Sequence, residues 1–307
     1  MEVILSNAIV CVTGASGMIG AVLCRRLVSE GYYVKALSRQ KDFRLEHVEV
    51  VYGDIENSAL VADFMLGAQL VFHCAAELKD ESKMWRVNVG ATERMLKLSE
   101  SLGVKYFCYL SSVGVIGGTG LKWVDEASPC NPQNVYEKSK WAAEQLVMRG
   151  IKGCNVVVLR PTNVADEKRP GIFSLFQRAS WVDLCKIFVT GGECAHIVHA
   201  EDVAEAALYF IERSGETPQC YIVSCDQEAL NTFAGLWALY RAYRAGKAVD
   251  SVSPARHLPL IVPYVLRKLA RGKGNRGDVR YSSEKIKKAG FVFNLGLGGA
   301  VRRIVSA

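Results

Sequence analysis

Tyr136 and Lys140 stand four residues apart in Tyr136-Glu137-Lys138-Ser139-Lys140, where a helical pattern opens and continues through Trp141-Ala142-Ala143-Glu144-Gln145-Leu146. That spacing is about one helical turn, so both side chains project from one face. An ammonium beside a phenol favours the phenolate and lowers its pKa. A tyrosine tuned in that way passes protons near neutral pH. The same spacing also describes an exposed cation–aromatic pair with no chemistry. A hydroxyl partner lies upstream, where Tyr106 to Ser112 reads as a strand. It delivers Ser111 and Ser112 at its C-terminal end, the edge at which open α/β sheets bind ligands.

A second cluster precedes these residues. Thr13-Gly14-Ala15-Ser16-Gly17-Met18-Ile19-Gly20 follows the apolar run Ala8 to Val12 and precedes the helical pattern Ala21 to Val28. Glycines at a strand-to-helix turn let the backbone turn sharply, approach phosphates and pack helix on strand, while the helix N-terminus offers N–H groups to a pyrophosphate. The spacing is Gly-x-x-Gly-x-x-Gly, and a glycine-rich turn without ligand has the same letters. The next strand, Tyr32 to Arg39, ends in Ser38-Arg39 where NAD-binding folds carry an acid for the ribose 2′-hydroxyl. A hydroxyl and a guanidinium suit a 2′-phosphate, which favours NADP over NAD. Asp54, after the strand Val48 to Tyr52, either accepts from the adenine amino group or caps the helix that follows. His73, inside the apolar strand Leu70 to Ala76, reads as a hydrogen-bonded structural histidine.

Positioning these groups takes an alternation of strands and helices, which predicts a doubly wound α/β fold with a parallel sheet. A long helix is expected from about Met84 to Leu102, containing Asn88 and stopped by Gly103. Val156 to Pro161 forms a further strand, and Ala165 to Gly192 looks irregular. Ile197 to Val203 leads into a helix from Ala204 to Ile211, and Cys220 to Ser224 closes the strands. The expected division places a dinucleotide-binding domain in residues 1–165, with 193–226 returning to it. Residues 166–192 and 227–307 form a smaller, mostly helical substrate lobe.

Of the 307 residues, 50% are hydrophobic, enough for a sizeable core. Ten cysteines are scattered without zinc spacing and read as reduced thiols in a cytoplasmic protein, with no metal site. The N-terminal apolar run reads as a strand, not a signal peptide, and Leu258 to Leu266, broken by Pro259 and Pro263, is too short to span a bilayer. The net charge of +7 is uneven: from Ser251 onward there are 12 basic residues against 2 acidic ones. This excess, including Arg267, Lys268, Arg271, Lys273, Arg276 and Arg280, is either a solvated face or a site for an anionic substrate. No aromatic–basic interleaving supports nucleic acid.

Taken in order, Thr13-Gly-x-x-Gly-x-x-Gly20, Gly53-Asp54-Ile55, His73-Cys74-Ala75-Ala76, Asn88-Val89-Gly90-Ala91-Thr92, Ser111-Ser112, Tyr136-x-x-x-Lys140, Leu159-Arg160-Pro161 and Val198-His199-x-x-Asp202-Val203 resemble the extended short-chain dehydrogenase/reductase family, in its NAD-dependent epimerase/dehydratase branch. The resemblance covers nearly the whole chain. It implies a Rossmann fold and hydride transfer between nicotinamide C4 and a carbon bearing a hydroxyl or ketone. Tyr136 would act as the acid/base, Lys140 would tune it and hold the nicotinamide ribose, Ser112 would bond the substrate oxygen, and Asn88 would order the site. Cofactor contacts are implied for Gly14, Ser16, Gly17, Met18, Ile19, Ser38, Arg39, Asp54, Ile55, Cys74, Ala75, Ala76, Tyr136, Lys140 and Pro161. Asn163 matches an asparagine that contacts a nucleotide-diphosphate, so a nucleotide sugar is the expected substrate. A homodimer is also expected, pairing the helices of Asn88 and Tyr136, to which Trp141, Ala142 and Leu146 would contribute.

Three departures qualify the expected substrate. Val113-Gly114 stand where dehydratases of the family carry an Asp-Glu pair, which argues against a 4,6-dehydratase. Ile116 stands where epimerases often have a tyrosine, and Ala195-His196 where many members have an arginine for the diphosphate. A 4-epimerase or 4-ketoreductase of a nucleotide sugar therefore competes with a reductase or dehydrogenase of an apolar ketone or alcohol, such as a steroid or flavonoid. A catalytically silent cofactor-binding regulator is the third reading; an intact Ser112, Tyr136 and Lys140 set speaks against it.

Overall fold

The computed structural model describes residues 8–177, 180–213, 215, 217–247, 252–271 and 277–307. β1 (Ile9–Thr13) leads through the glycine turn into α1 (Met18–Ser29). Then come β2 (Tyr33–Ser38), β3 (Val48–Tyr52), α2 (Ser58–Met65), β4 (Leu70–His73) and α3 (Glu81–Met84). A π-helical turn, Trp85–Gly90, joins α3 to α4 (Ala91–Ser101), and β5 (Tyr106–Leu110) runs on to a 3-10 turn, Val113–Ile116. β6 (Trp123–Val124), α5 (Val135–Val147), β7 (Asn155–Pro161), β8 (Asn163–Ala165), α6 (Phe173–Gln177) and α7 (Trp181–Thr190) follow. The chain continues with β9 (Ile197–His199), α8 (Ala200–Tyr209), β10 (Gln219–Val223), α9 (Phe233–Arg244), α10 (Ile261–Arg271), β11 (Arg280–Tyr281), α11 (Glu284–Lys288) and α12 (Gly296–Ser306).

Seven strands form one parallel sheet in the order β10-β7-β5-β4-β1-β2-β3. Val10 registers against Val34 of β2 on one side and Leu70 of β4 on the other, so connections leave β1 in both directions and the strand order reverses there. Ligands of doubly wound sheets bind outside the strand C-termini at such a point. The strands are continuous apolar runs because helices cover both faces. Val71, Phe107 and Val158 pack with Val61, Phe64 and Met65 of α2, Met95 of α4, and Ala143 and Val147 of α5.

The chain divides into two compact units, the first taking in residues up to Gly117, Pro129–Arg160 and Val203–Tyr221. The second comprises Gly118–Ser128, Pro161–Asp202 and Ile222–Ala307. Within the second unit, β8 pairs with β9 and β6 with β11, both in parallel. The Tyr243 hydroxyl of α9 donates to the Gly298 carbonyl of α12 at 2.8 Å.

Several elements differ from the sequence reading. The stretch 165–192, expected to be irregular, contains α6 and α7, and α7 starts with a reciprocal capping box between Ser180 and Asp183. The long helix begins at Glu81 and is interrupted by the π turn that carries Asn88. The helix expected from Ala204 starts at Ala200. Asp54 does not cap α2: its Oδ1 accepts the Glu56 N–H at 2.9 Å, and Asn57 takes the cap by accepting from Leu60. All ten cysteines are free thiols. No described helix is long and apolar enough to cross a membrane. Lys273 and Arg276, part of the basic excess, lie outside the described residues.

Candidate active site

In the first unit the C-terminal ends of adjacent parallel strands bring most of the expected residues to one sheet edge. Gly14 to Ile19 follow β1, Ser38 and Arg39 end β2, Asp54 and Ile55 follow β3, and Cys74 to Ala76 follow β4. Ser112 follows β5, and Tyr136 and Lys140 lie in the first turns of α5.

The glycine turn is built by close backbone packing. Gly14 has φ +66°, and a Cβ there would lie 2.7 Å from the Ala75 nitrogen. A Cβ on Gly20 would come within 2.4 Å of the Gly14 carbonyl oxygen, so α1 lies directly on the turn. Gly17 is the N-cap of α1 and supplies no side-chain hydrogen bond, which leaves the first-turn N–H groups without a side-chain cap. A pyrophosphate suits that set of donors. At the end of β2 the Ser38 Oγ accepts the Gln40 N–H at 3.1 Å, and an Arg39 Nη1 lies 3.5 Å from Glu77 Oε2. Arg39 remains largely exposed, so a 2′-phosphate could compete for it. Ile55 is buried in the core, where its carbonyl accepts from Arg94 at 3.0 Å.

Asn88 uses its whole amide inside the protein. Its Oδ1 accepts the Glu77 N–H at 2.7 Å, and its Nδ2 donates to the Glu77 carbonyl at 3.1 Å and to Ser139 Oγ at 2.9 Å. Ser139 Oγ in turn donates to the Tyr136 carbonyl at 2.8 Å. Asn88 therefore positions the start of α5 and the loop after β4. The π turn places it there, a common use of that geometry at functional sites.

His73 is structural, as expected. Thr92 Oγ1 donates to the Asn88 carbonyl at 2.6 Å, so His73 Nε2–H must donate to Thr92 at 2.9 Å. His73 Nδ1 then accepts from Thr13 Oγ1 at 2.7 Å, which fixes a neutral imidazole. Burial, with the Lys140 charge adding to it, pushes its pKa down to about 3.

Ser112 Oγ accepts the Gly114 N–H at 3.0 Å. The Tyr136 phenol is raised from its ordinary value, mainly by burial, with the nearby Ser112 hydroxyl pulling it back and Glu137 adding to the rise. This is opposite to the direction expected from Lys140. The reason is geometric: Lys140 Nζ donates to the Leu110 carbonyl at 2.5 Å and sits 4.2 Å over the Tyr109 ring. Burial also lowers the Lys140 pKa to about 7, against the pull of Glu144 and Cys74, so its charge is weakened at neutral pH.

One buried ion pair escaped the sequence reading. Glu144 and Arg160 are 1% and 4% exposed and meet at 2.5 Å, with Arg160 Nε adding bonds at 3.1 and 3.2 Å. Ser111 Oγ donates to the same carboxylate at 2.6 Å, so Ser111 serves structure and Ser112 faces Tyr136. An arginine closing the run Val156 to Leu159, with an acid one turn beyond Lys140, was the available signal. Ile116, at the position where epimerases often have tyrosine, is fully buried.

Pro161 and Asn163 belong to the second unit. Asn163 is exposed, and its Nδ2 donates to the Ala195 carbonyl at 2.9 Å while its N–H donates to His196 at 2.8 Å. His196, also in this unit, has a positive φ of 58°, a strained backbone for a non-glycine residue. Its Nδ1–H donates at 2.6 Å to Asp226, which is fully buried and also accepts from Asn231 and the Tyr281 N–H. Its Nε2 has no partner among the described residues. Asp226 carried no signal in the sequence, because nothing local links it to His196.

The 3 beta-hydroxysteroid dehydrogenase/Delta 5-->4-isomerase of Mycobacterium tuberculosis (strain CDC 1551 / Oshkosh) is 31% identical over 172 residues, 50% of this chain and 46% of that protein. The N-acetyl-alpha-D-glucosaminyl-diphospho-ditrans,octacis-undecaprenol 4-epimerase of Escherichia coli O157:H7 is 29% identical over 181 residues, 56% of this chain and 54% of that one. The chain spans about half the length of the curated relatives it matches first. Among solved structures, the Bordetella bronchiseptica enzyme WbmH in complex with NAD+ superposes with TM-score 0.73 over 98% of both chains at 21% identity. The description of the NAD dependent epimerase/dehydratase family matches residues 10–224, from β1 into the strand that closes the central sheet. With the glycine turn and the Ser112, Tyr136 and Lys140 set inside that span, the chain belongs to the NAD dependent epimerase/dehydratase family.

Proposed function

We propose that this protein is an NAD(P)-dependent epimerase or ketoreductase that acts at a hydroxyl- or ketone-bearing carbon of a diphosphate-linked sugar. The observation that carries the reading is the convergence of Ser112, just past the C-terminal end of β5, with Tyr136 in the first turn of α5 and Lys140 one turn further along that helix. When bound, the cofactor supplies the hydride donor or acceptor. The turn Gly14 to Ile19 would hold its pyrophosphate, and Ser38 with Arg39 a 2′-phosphate, which favours NADP. Tyr136 takes the proton from the substrate hydroxyl on oxidation and returns one to the ketone oxygen on reduction. Its raised pKa keeps it protonated at neutral pH, ready to act in the reducing direction. Ser112 would donate to the same oxygen, and Lys140 would hold the nicotinamide ribose.

The sugar assignment draws on the Escherichia coli relative and on Asn163, exposed beside His196. His196, held through Nδ1 by Asp226, stands where many members of the family have an arginine. A second reading, an apolar ketone or alcohol, is favoured by the absence of that arginine and by the mycobacterial relative. The two are separated by following NADPH absorbance and product with UDP-, GDP- and dTDP-sugars against steroid and flavonoid ketones. The sugar reading fails if no nucleotide sugar binds while the apolar ketones turn over. Tyr136→Phe is expected to keep cofactor affinity and lose about 10²–10⁴ in kcat; full activity in that variant would refute the acid/base assignment.

A further inference from the structure

Helices α7 and α10 of the second unit turn their apolar residues outward. On α7, Trp181, Leu184 and Phe188 are all exposed, Trp181 at 76%, and their spacing of three and four places them on one face. On α10, Ile261, Val265 and Leu269 are exposed at successive turns, Leu269 at 79%, with Leu266 beside them. The two helices pack together, and the Leu258 N–H that leads into α10 donates to the Phe188 carbonyl at 2.8 Å. An ordinary surface helix buries its apolar stripe and exposes its charges; here the apolar stripes face out from neighbouring helices.

Around this face the cations outnumber the acids. Lys186 of α7 and Arg267 and Lys268 of α10 are interleaved with the apolar residues. The nearby acids are both paired, Asp183 with Lys186 at 3.4 Å and Glu193 with Arg267 at 2.7 Å. The sequence then continues the excess with Arg271, Lys273 and Arg276. Exposed tryptophan and leucine with interspersed Lys and Arg is the chemistry of a helix lying in a bilayer interface, where apolar side chains enter the acyl boundary and cations meet anionic headgroups. A protein interface core, by contrast, is depleted of lysine.

We infer that the α7/α10 face docks on the surface of an anionic phospholipid bilayer. The inference is independent of the identity of the substrate. The test is co-sedimentation of the full chain with vesicles of phosphatidylcholine mixed with phosphatidylglycerol, against phosphatidylcholine alone. Binding is expected to the mixed vesicles, weaker to the neutral ones, and falling as salt rises. Leu269→Glu should weaken it by roughly tenfold or more, and Lys268→Ala by about fivefold. Both variants should keep cofactor affinity and melting midpoint, because these side chains project into solvent. Wild-type protein that stays in the supernatant, or variants that bind as wild type does, would overturn the inference. So would a wild-type dimer that Leu269→Glu dissociates without any vesicle binding, since a second copy would then cover the face.

Discussion

Glu144 and Arg160 give the sharpest energetic prediction because both ends of the pair are buried and the hydrogen bonds are good. Desolvating two charges offsets much of their attraction, so the intact pair adds little net stability. Breaking it is a different matter. Glu144→Gln keeps the shape but leaves the Arg160 guanidinium buried without its counter-charge, and Arg160 Nη1 already has no partner among the described residues. The expected loss is about 3–5 kcal/mol, with the weakened Ser111 bond contributing about 1 kcal/mol of it. For a chain of this size that corresponds to a fall of roughly 6–10 °C in melting midpoint. Replacing both, as Glu144→Leu with Arg160→Met, removes both desolvation penalties and should recover most of the loss. Thermal unfolding followed by circular dichroism reads all three forms. A fall below about 2 °C for Glu144→Gln, or a double variant no more stable than Glu144→Gln, would refute the reasoning. Because α5 also carries Tyr136, the single variant should lose kcat while binding cofactor normally.

Arg39→Ala should cost NADP roughly 10–100-fold in affinity and leave NAD unchanged, the worth of a charge-assisted bond to a phosphate; equal dissociation constants before and after would remove the 2′-phosphate argument. His73 is depressed to about 3 from 6.5, so its contribution to stability is complete above pH 6.5 and is lost as pH falls towards 3. Thermal midpoints of His73→Gln should accordingly fall less steeply than wild type over that window, and parallel curves would contradict the neutral assignment. Lys140 is depressed to about 7 from 10.5, so it opposes folding at pH 7 and is relieved as pH rises towards 10.5. Lys140→Met should therefore raise the melting midpoint at pH 7 while abolishing turnover, and an unchanged or lower midpoint would show that its Leu110 and Tyr109 contacts outweigh the burial.

The parts of the fold that could be read from the sequence are those governed by local periodicity. β1, β4 and β5 are uninterrupted apolar runs, and the glycine turn and Gly103 punctuate them, so their order and the strand ends carrying Ser112 and Arg39 were visible. Long-range partners were not. Glu144 and Arg160 are 16 residues apart and on different elements, and Asp226 reaches His196 across 30 residues. Nothing in their spacing shows that they meet. The pKa of Tyr136 failed for a related reason: one-turn spacing put Lys140 on the right face but could not show its ammonium turned to the Leu110 carbonyl. The π turn was hidden because Trp85 to Gly90 has ordinary helical letters.

The buried bonds of Asn88 also determine how far a change at the cofactor's adenosine end can reach. Arg39 touches Glu77, Glu77 is held through its backbone by Asn88, and Asn88 holds Ser139, whose hydroxyl meets the Tyr136 carbonyl. The chain of contacts is continuous, yet its first link is the weak one. At 3.5 Å and largely exposed on the Arg39 side, that pair is worth at most about 1 kcal/mol. Glu77 does not depend on it, because its Oε1 accepts N–H groups from Leu78, Lys79 and Asp80 at 3.0 to 3.3 Å. These backbone bonds, Lys79 foremost, outweigh its burial and hold the carboxyl below its usual range, with Arg39 a lesser contributor. A 2′-phosphate that draws Arg39 away would therefore leave Glu77, Asn88 and the start of α5 where they are. The cofactor choice proposed for Arg39 and the proton transfer proposed for Tyr136 are in this way mechanically separate, so a substitution at Arg39 should report on the phosphate alone.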